Sequence, residues 1–175
     1  FAGAENFLVP VLPDTQCAMH GKPEMFMSQM QWIADNKASA TIAFVVHVGD
    51  IVDWDTPDHA MWKTASEGFR VLDDAGIPYV LTLGNHDTAA VKAGGSAAPG
   101  NVNANLRITD SFNRFFPVDR LAGQKGRFEE GKSDNAWYEF QAGGLDWLVI
   151  ALELWPRQGA VDWAKKVAAA HPNHN

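Results

Sequence analysis

Cysteine is almost absent from this sequence, since Cys17 is the single cysteine among 175 residues. One cysteine excludes an internal disulfide and any zinc site built from several cysteines. Basic residues are also scarce, because 14 Lys and Arg stand against 21 Asp and Glu, which gives a net charge of -7. The chain therefore lacks the basic surface that sequence-independent nucleic-acid binding requires. We expect no nucleic-acid partner.

Long hydrophobic runs are missing as well. No apolar run approaches the roughly 20 residues that are needed to span a membrane, so we expect a soluble protein. The first residue is Phe1 rather than Met, so we expect that a start codon has been removed and that any signal peptide is not visible. Localisation therefore stays open, and both a secreted and a periplasmic location fit the sequence.

The residues that are present suit one globular domain. A chain of 175 residues can bury a substantial core without disulfides or structural metal. The composition, 46% hydrophobic and 20% charged, is that of a folded protein rather than a disordered one. We expect a single domain over residues 1–175.

Strands and helices alternate in the first half of the chain. Three apolar segments predict strands: 7–12 (FLVPVL), 41–48 (TIAFVVHV) and 77–83 (IPYVLTL). Two segments between them carry apolar residues at helical spacing: 23–37 (Phe26, Met30, Ile33) and 58–75 (Met61, Ala65, Phe69, Leu72). Pro10 lacks an amide hydrogen, so the first strand should lie at an edge or contain a bulge. This alternation predicts an α/β fold with a parallel sheet covered by helices on both faces.

The second half has a different character. Residues 88–105 are small, polar and rich in glycine, which favours a long mobile loop over a regular element, either a solvated linker or a flap over a site. Residues 104–116 predict a helix, and residues 136–154 predict a hairpin that turns at 142–144. A last helix is expected over 159–170, with four residues facing inward: Val161, Ala164, Val167 and Ala168.

Each predicted parallel strand is followed by a polar turn. The turns are 13–16 (PDTQ), 49–53 (GDIVD) and 84–87 (GNHD). Loops at the carboxyl ends of neighbouring parallel strands meet in one crevice, so we expect these turns to converge. They bring together one imidazole and six oxygen donors: Asp14, Gln16, Asp50, Asp53, Asn85, His86 and Asp87. One or two divalent cations would neutralise such a cluster of carboxylates.

Each turn taken alone also fits an ordinary structural role, as an Asx turn or a helix cap. Their order and their equal spacing after three apolar strands favour a metal site. Glycines 49 and 84 agree with this, because a strand that turns sharply needs a residue without Cβ.

The series Asp14-Thr-Gln16, Gly49-Asp50-x-x-Asp53 and Gly84-Asn85-His86-Asp87 resembles the calcineurin-like metallophosphoesterase superfamily, and the similarity extends over most of the chain. The resemblance implies a sandwich of two β-sheets flanked by helices, with two divalent metal ions. Asp50 would bridge the metals, while Asp14 and Asn85 would each bind one. A metal-bridged hydroxide would attack the phosphorus of a monoester or diester in line. His86 would protonate the leaving oxygen, with Asp53 as its orienting partner.

Two departures from the family pattern bear on the metals. Gln16 occupies the position of a usual histidine ligand, and an amide oxygen favours manganese, magnesium or calcium over zinc, with iron also open. The later histidine ligands of the family are not found. Only His171 and His174 follow residue 87, in a tail that we expect to be solvated. We therefore expect a domain truncated at its C-terminus, with incomplete metal occupancy.

Several residues keep more than one interpretation. His47 is expected to be a buried histidine rather than a ligand, and His20 and His59 are expected to be solvated. Arg157, near Glu153, could grip a phosphate or form a surface ion pair. The expected partner is a small-molecule or macromolecular phosphoester. A domain that binds but does not turn over its ligand is the alternative, and the oligomeric state stays open.

Overall fold

A parallel sheet of three short strands forms the centre of the protein. The computed structural model describes residues 6–121 and 123–175. The strands are β1 (Val11–Leu12), β2 (Val45–His47) and β3 (Tyr79–Leu81), in the order β1-β2-β3. Val46 of β2 lies opposite Val11 on one side and Val80 on the other. The edge position predicted for the first strand is confirmed, but β1 is shorter than residues 7–12, and a single bridge, Leu8 to Ile42, precedes it.

Helices cover one face of this sheet. They are α1 (Gln16–Gly21), α2 (Pro23–Asp35) and α3 (Ala60–Asp74). The predicted apolar stripe of α2 is confirmed, because Phe26, Met30 and Ile33 are buried. They pack with Ala65, Phe69 and Leu72 of α3 in one hydrophobic core. Val45 and Leu81 of the sheet belong to the same core, so it lies between the helices and the strands.

A second, antiparallel sheet covers the other face, so the expectation of helices on both faces of the parallel sheet is wrong. Its strands are β6 (Gln124–Arg127), β7 (Ala136–Ala142) and β8 (Leu145–Ala151), in that order. The predicted hairpin is confirmed, and its turn has positive φ at Gly143 (61°) and Gly144 (74°). A smaller core lies between the two sheets and contains Phe44, Val80, Ala136, Tyr138 and Ala151.

The last helix, α6 (Gln158–Ala170), lies on the outer face of the second sheet. Side chains alternate along β7, so Trp137 points away from the inner core that holds Tyr138. Trp137 packs against His171 at the end of α6, with 4.6 Å between ring centroids. The layers are therefore helix, sheet, sheet and helix, as the family resemblance implies. Ala168, which was expected to face inward, is exposed, whereas Ala160 and Val167 are buried.

Residues 88–121 differ from the predictions. The expected loop contains an antiparallel pair, β4 (Val91–Lys92) and β5 (Ser96–Ala97), and a short helix α4 (Val102–Asn105). The expected helix over 104–116 begins only at Asp110, as α5 (Asp110–Phe115). The two helices are separate because the chain between them pairs elsewhere, with Ala89 N–H donating to the carbonyl of Ile108 at 3.0 Å.

The expectation of a solvated tail is also wrong. His171 and His174 both contact Oε1 of Glu139 through Nε2, at 3.5 and 3.1 Å. Asn175 exchanges backbone hydrogen bonds with β8, donating to Asp146 and accepting from Leu148, both at 3.0 Å. The tail is therefore docked on the second sheet. Among the described residues, no helix combines the length and the apolar character that a membrane crossing requires.

Candidate metal centre at the carboxyl ends of the parallel strands

The loops that follow β1, β2 and β3 meet at Asp50. The backbone N–H of Thr15 donates to the Asp50 carbonyl at 3.1 Å, which joins the first loop to the second. The backbone N–H of His86 donates to Oδ1 of Asp50 at 3.0 Å, which joins the third loop to the same residue. The expected convergence of the three polar turns therefore occurs, with Asp50 at its centre.

Two glycines allow this approach. A Cβ built on Gly49 would lie 2.6 Å from the backbone nitrogen of Gly84, and a Cβ on Gly84 would overlap the carboxylate of Asp50. Both contacts are closer than any that a real Cβ makes. A side chain at residue 49 or 84 would therefore push the second and third loops apart. Asp50 itself has φ of 50°, a left-handed conformation that is uncommon outside glycine. The backbone is thus arranged to place one carboxylate between the loops.

Asp87 holds the second and third loops together through hydrogen bonds to its carboxylate. Its side chain is 3% exposed. One carboxylate oxygen accepts the backbone N–H groups of Ile51 (2.8 Å) and Val52 (3.2 Å), and the other accepts that of Gly84 (3.0 Å). Burial raises the pKa of Asp87 to about 7, against the effect of these three donors. Asp87 belonged to the predicted inventory of donors, and its contacts show a structural role.

His47 and Thr15 fasten the first loop. As expected, His47 is buried, and Gly49 N–H donates to its Nδ1 at 3.2 Å. The ring proton therefore lies on Nε2, which donates to Oγ1 of Thr15 at 3.0 Å, and Thr15 donates in turn to the carbonyl of Ile51 at 3.1 Å. Burial lowers the pKa of His47 to about 4, so this imidazole is neutral at neutral pH.

Negative charge accumulates around Asp50. Burial raises the pKa of the Asp50 carboxyl, and the hydrogen bond and charge of His86 oppose that rise. The charges of Asp14 and Asp53 raise the same pKa further. The carboxylates of Asp14 and Asp53 are therefore close enough to Asp50 to disfavour its negative charge, which is the electrostatic situation that a cation relieves.

The side-chain oxygen of Gln16 is available for a further contact. Its backbone N–H donates to Oδ1 of Asp14 at 2.9 Å, and its Nε2 donates to Oδ2 of Asp14 at 3.1 Å. Within the described part of the chain, its Oε1 is buried without a hydrogen-bond partner. A buried acceptor without a donor is uncommon, and a cation would satisfy it.

His86 is oriented by Asp53 in two ways. Its Nδ1 contacts the backbone carbonyl of Asp53 and also lies 3.2 Å from Oδ1 of the side chain. Both partners are acceptors, so Nδ1 carries a proton and Nε2 is the ring nitrogen that Asp53 does not engage. Two groups of Asp53 therefore hold the ring of His86. The backbone carbonyl makes the shorter contact, and the side-chain carboxylate makes the longer one.

Two histidines expected to be solvated make specific contacts. Nδ1 of His20 lies 3.2 Å from Oδ2 of Asp53, and Nδ1 of His59 lies 2.8 Å from Oδ1 of Asp55. The sequence contained a signal for His20, because it follows Gln16 by four residues and therefore shares a helix face with it. His59 carried no such signal.

Arg157 forms ion pairs rather than an open phosphate clamp. Its Nε lies 2.8 Å from Oε1 of Glu153, and its NH2 group lies 2.6 Å from Oε2 of Glu129. Burial alone would raise the pKa of Glu153, but the hydrogen bonds from Arg157 and Asn135 and the charge of Arg107 lower it to about 2. Of the two interpretations of Arg157, the structure supports the ion pair.

The donors present are oxygens. In the described residues, no group of three or more His, Cys, Asp or Glu side chains is arranged to hold a metal ion. The predicted ligands Asp14, Gln16, Asp50 and Asn85 include only two residues of those types, and the other two contribute amide oxygens. Carboxylate and amide oxygens suit hard divalent cations such as Mg²⁺, Mn²⁺ and Ca²⁺ better than zinc. The set fits such ions.

A cavity adjoins His86 on the side of α5. Its volume is about 200 Å³, and its lining includes His86, Trp62, Ile108 and Ser111. A cavity of this size would accommodate a small group beside His86. A larger groove of about 560 Å³ lies between α3 and α5 and contains none of the predicted site residues.

Comparison with known proteins relates the chain to a protein family and to a curated relative. The model of a family described as calcineurin-like phosphoesterase matches residues 11–174. The uncharacterized protein YvnB of Bacillus subtilis (strain 168) is 29% identical over 163 residues, which cover 93% of this chain and 12% of that protein. The chain therefore spans about an eighth of the length of this curated relative.

Proposed function

The chain belongs to the calcineurin-like phosphoesterase family, and on that basis we propose that it hydrolyses a phosphoric ester with the help of divalent metal ions. The observation that carries the proposal is the convergence of three strand-end loops on Asp50, through Thr15 N–H and His86 N–H. The accumulated negative charge and the unpaired oxygen of Gln16 support cation binding at the same place.

Four side chains would hold the cations: Asp14, Gln16, Asp50 and Asn85. Asp50 takes the central position because it touches both neighbouring loops. When bound, divalent cations activate water for attack on phosphorus and neutralise charge on the phosphoryl oxygens. The oxygen-rich donor set favours manganese, magnesium or calcium. The low share of imidazole favours weak or incomplete occupancy.

His86 supplies the proton for the leaving oxygen in this proposal. Asp53 fixes the proton of His86 on Nδ1, so Nε2 exchanges its proton with the substrate. The adjoining cavity of about 200 Å³ receives the leaving alcohol. Asp53 acts as a positioning residue, and the backbone of the same residue shares this task.

The test is turnover of p-nitrophenyl phosphate and bis-(p-nitrophenyl) phosphate with added Mn²⁺. Comparing the two substrates separates monoesterase from diesterase activity. We expect His86→Ala to lower the rate by about 100-fold or more, and Asp50→Asn to lower Mn²⁺ affinity, measured by electron paramagnetic resonance. His174→Ala is the matched control, because its imidazole contacts Glu139 on the second sheet, and it should keep the wild-type rate.

A domain that binds metal and ligand without turnover is the second candidate. The small number of carboxylate ligands and the absence of a three-residue His, Cys, Asp or Glu group among the described residues favour it. Its expected signature is Mn²⁺ binding by the wild type, with rates equal to buffer for both the wild type and His86→Ala. Any metal-dependent rate that falls in His86→Ala contradicts it.

A further inference from the structure

The carboxylate of Asp53 lies between two imidazoles. Its Oδ1 is 3.2 Å from Nδ1 of His86, and its Oδ2 is 3.2 Å from Nδ1 of His20. Each oxygen therefore has its own histidine. A carboxylate held at one oxygen can rotate, whereas one held at both oxygens has a fixed plane.

We propose that His20 is a positioning residue that holds Asp53, and through it His86, in the orientation that proton transfer requires. This inference rests on the phosphoesterase function proposed above. His20 acts through Asp53 and does not itself exchange a proton with the substrate.

The position of His20 follows from helix α1. The helix begins at Gln16, and His20 lies one turn later, so the element that presents an amide oxygen to the site also presents this imidazole. The ring of His20 packs edge-on against Trp54, with 4.5 Å between centroids. Since Trp54 follows Asp53 directly, His20 contacts two successive residues of the second loop.

The turn between β4 and β5 also lies close to the same two residues. A Cβ on Gly95 would lie 3.6 Å from the ring of Trp54 and 3.9 Å from Oδ1 of Asp53. Asp53 and Trp54 therefore lie close to both helix α1 and this hairpin.

The contact between His20 and Asp53 is poorly suited to stabilise the fold. The side chain of His20 is 50% exposed, and exposed pairs of this kind contribute little to stability. Its geometric effect is specific, however, because it fixes the oxygen of Asp53 that is not used by His86. The contact therefore affects the orientation of the Asp53 carboxylate more than it affects the stability of the fold, which is the behaviour of a positioning residue.

The first test reads the pairing directly in metal-free protein. At about pH 8, where histidines are mostly neutral, ¹⁵N-detected correlation spectra show which ring nitrogen carries the proton. We expect His20 to carry it on Nδ1 because Asp53 accepts it, and to change to Nε2 in Asp53→Ala. A proton on Nε2 of His20 in the wild type overturns the inference.

The second test measures coupling during turnover. We expect His20→Ala to lower kcat about threefold with KM unchanged. His20→Asn should restore the rate, because the Asn amide can donate from the position of Nδ1. In an Asp53→Asn background His20→Ala should have no further effect. Additive losses, or an unrescued His20→Asn with a native circular dichroism spectrum, overturn the inference.

Lys22→Ala is the control for a change of charge at the same helix. Lys22 is exposed and ends α1, so its removal should leave kcat unchanged. An equal loss in Lys22→Ala would assign the effect to charge rather than to the contact with Asp53. If the wild type has no turnover, the proposed function fails, while the tautomer of His20 still decides whether the pairing exists.

Discussion

The carboxylate of Asp50 lies against Gly84 so closely that residue 84 has no room for a Cβ. We therefore predict that Gly84→Ala separates the second and third loops. Mn²⁺ affinity should fall by about tenfold or more, as is typical when the support of a metal ligand is changed. Isothermal titration of the metal-free protein with Mn²⁺ measures this.

Gly21→Ala is the control for that substitution. Nothing lies within 4 Å of a Cβ at Gly21, so this variant should bind Mn²⁺ like the wild type. Wild-type affinity in Gly84→Ala would mean that the loops can separate without disturbing the site.

A second prediction concerns the two anchors of His86. Asp53→Asn removes the carboxylate but keeps the backbone carbonyl that contacts Nδ1. We expect kcat to fall about tenfold, the equivalent of about 1.4 kcal/mol for a charged hydrogen bond. In His86→Ala we expect kcat to fall at least ten times further than in Asp53→Asn. Equal losses in the two variants would show that the carbonyl alone does not hold the ring.

His47 should make stability depend on pH. Its pKa is lowered from 6.5 to about 4 by burial, so the unfolded chain binds a proton more readily than the folded one. The stability that the neutral His47 contributes to the folded state is complete above pH 6.5, decreases as the pH falls and is lost near pH 4. The full difference corresponds to about 3 kcal/mol. Urea unfolding at several pH values between these limits measures it.

His47→Gln should remove that part of the pH dependence. The variant is expected to be less stable than the wild type at pH 8, because the contacts with Thr15 and Gly49 change. The two free energies of unfolding should approach each other as the pH falls. Parallel curves for His47→Gln and the wild type would refute the assignment.

Glu153 should contribute stability that disappears in acid. Its carboxylate is 6% exposed and pairs with Arg107 at 3.1 Å and Arg157 at 2.8 Å. Its pKa is lowered from 4.5 to about 2, so the contribution is present above pH 4.5 and is lost towards pH 2. We predict that Glu153→Gln lowers the free energy of unfolding at pH 7 by about 3 kcal/mol. Exposed Glu130→Gln should change it by less than about 0.5 kcal/mol.

The sequence was sufficient where local patterns determine structure. Phe26, Met30 and Ile33 predicted the buried face of α2 from their spacing, and two glycines predicted the turn at 143–144. The convergence of the polar turns followed from parallel topology, because carboxyl ends of adjacent strands lie at one edge. These inferences needed no knowledge of distant contacts.

Contacts between distant segments could not be predicted in this way. Asp87 accepts hydrogen bonds from the backbone of Ile51 and Val52, which precede it by 36 and 35 positions in the chain. His171 and His174 of the tail contact Glu139 of the second sheet. The β4–β5 hairpin lacks alternating apolar residues, so its small, glycine-rich sequence was interpreted as a loop. In each case the partner, rather than the local pattern, decides the structure.

Metal preference should depend on Gln16. The unpaired Oε1 of Gln16 is an oxygen donor, and oxygen donors favour Mn²⁺ or Mg²⁺ over zinc. We predict that Gln16→His, which offers an imidazole nitrogen, raises the affinity for Zn²⁺ relative to Mn²⁺ by about tenfold, the equivalent of about 1.4 kcal/mol. Competition between the two ions in metal-free protein measures the ratio.

The matched control for this change is Gln29→His. Gln29 lies exposed on α2 and is no part of the proposed metal centre, so an added imidazole there should not change the ratio of affinities. If Gln16→His and Gln29→His behave alike, Gln16 does not face the cation. If only Gln16→His shifts the preference towards zinc, residue 16 faces the cation, and its identity influences the metal preference of this chain.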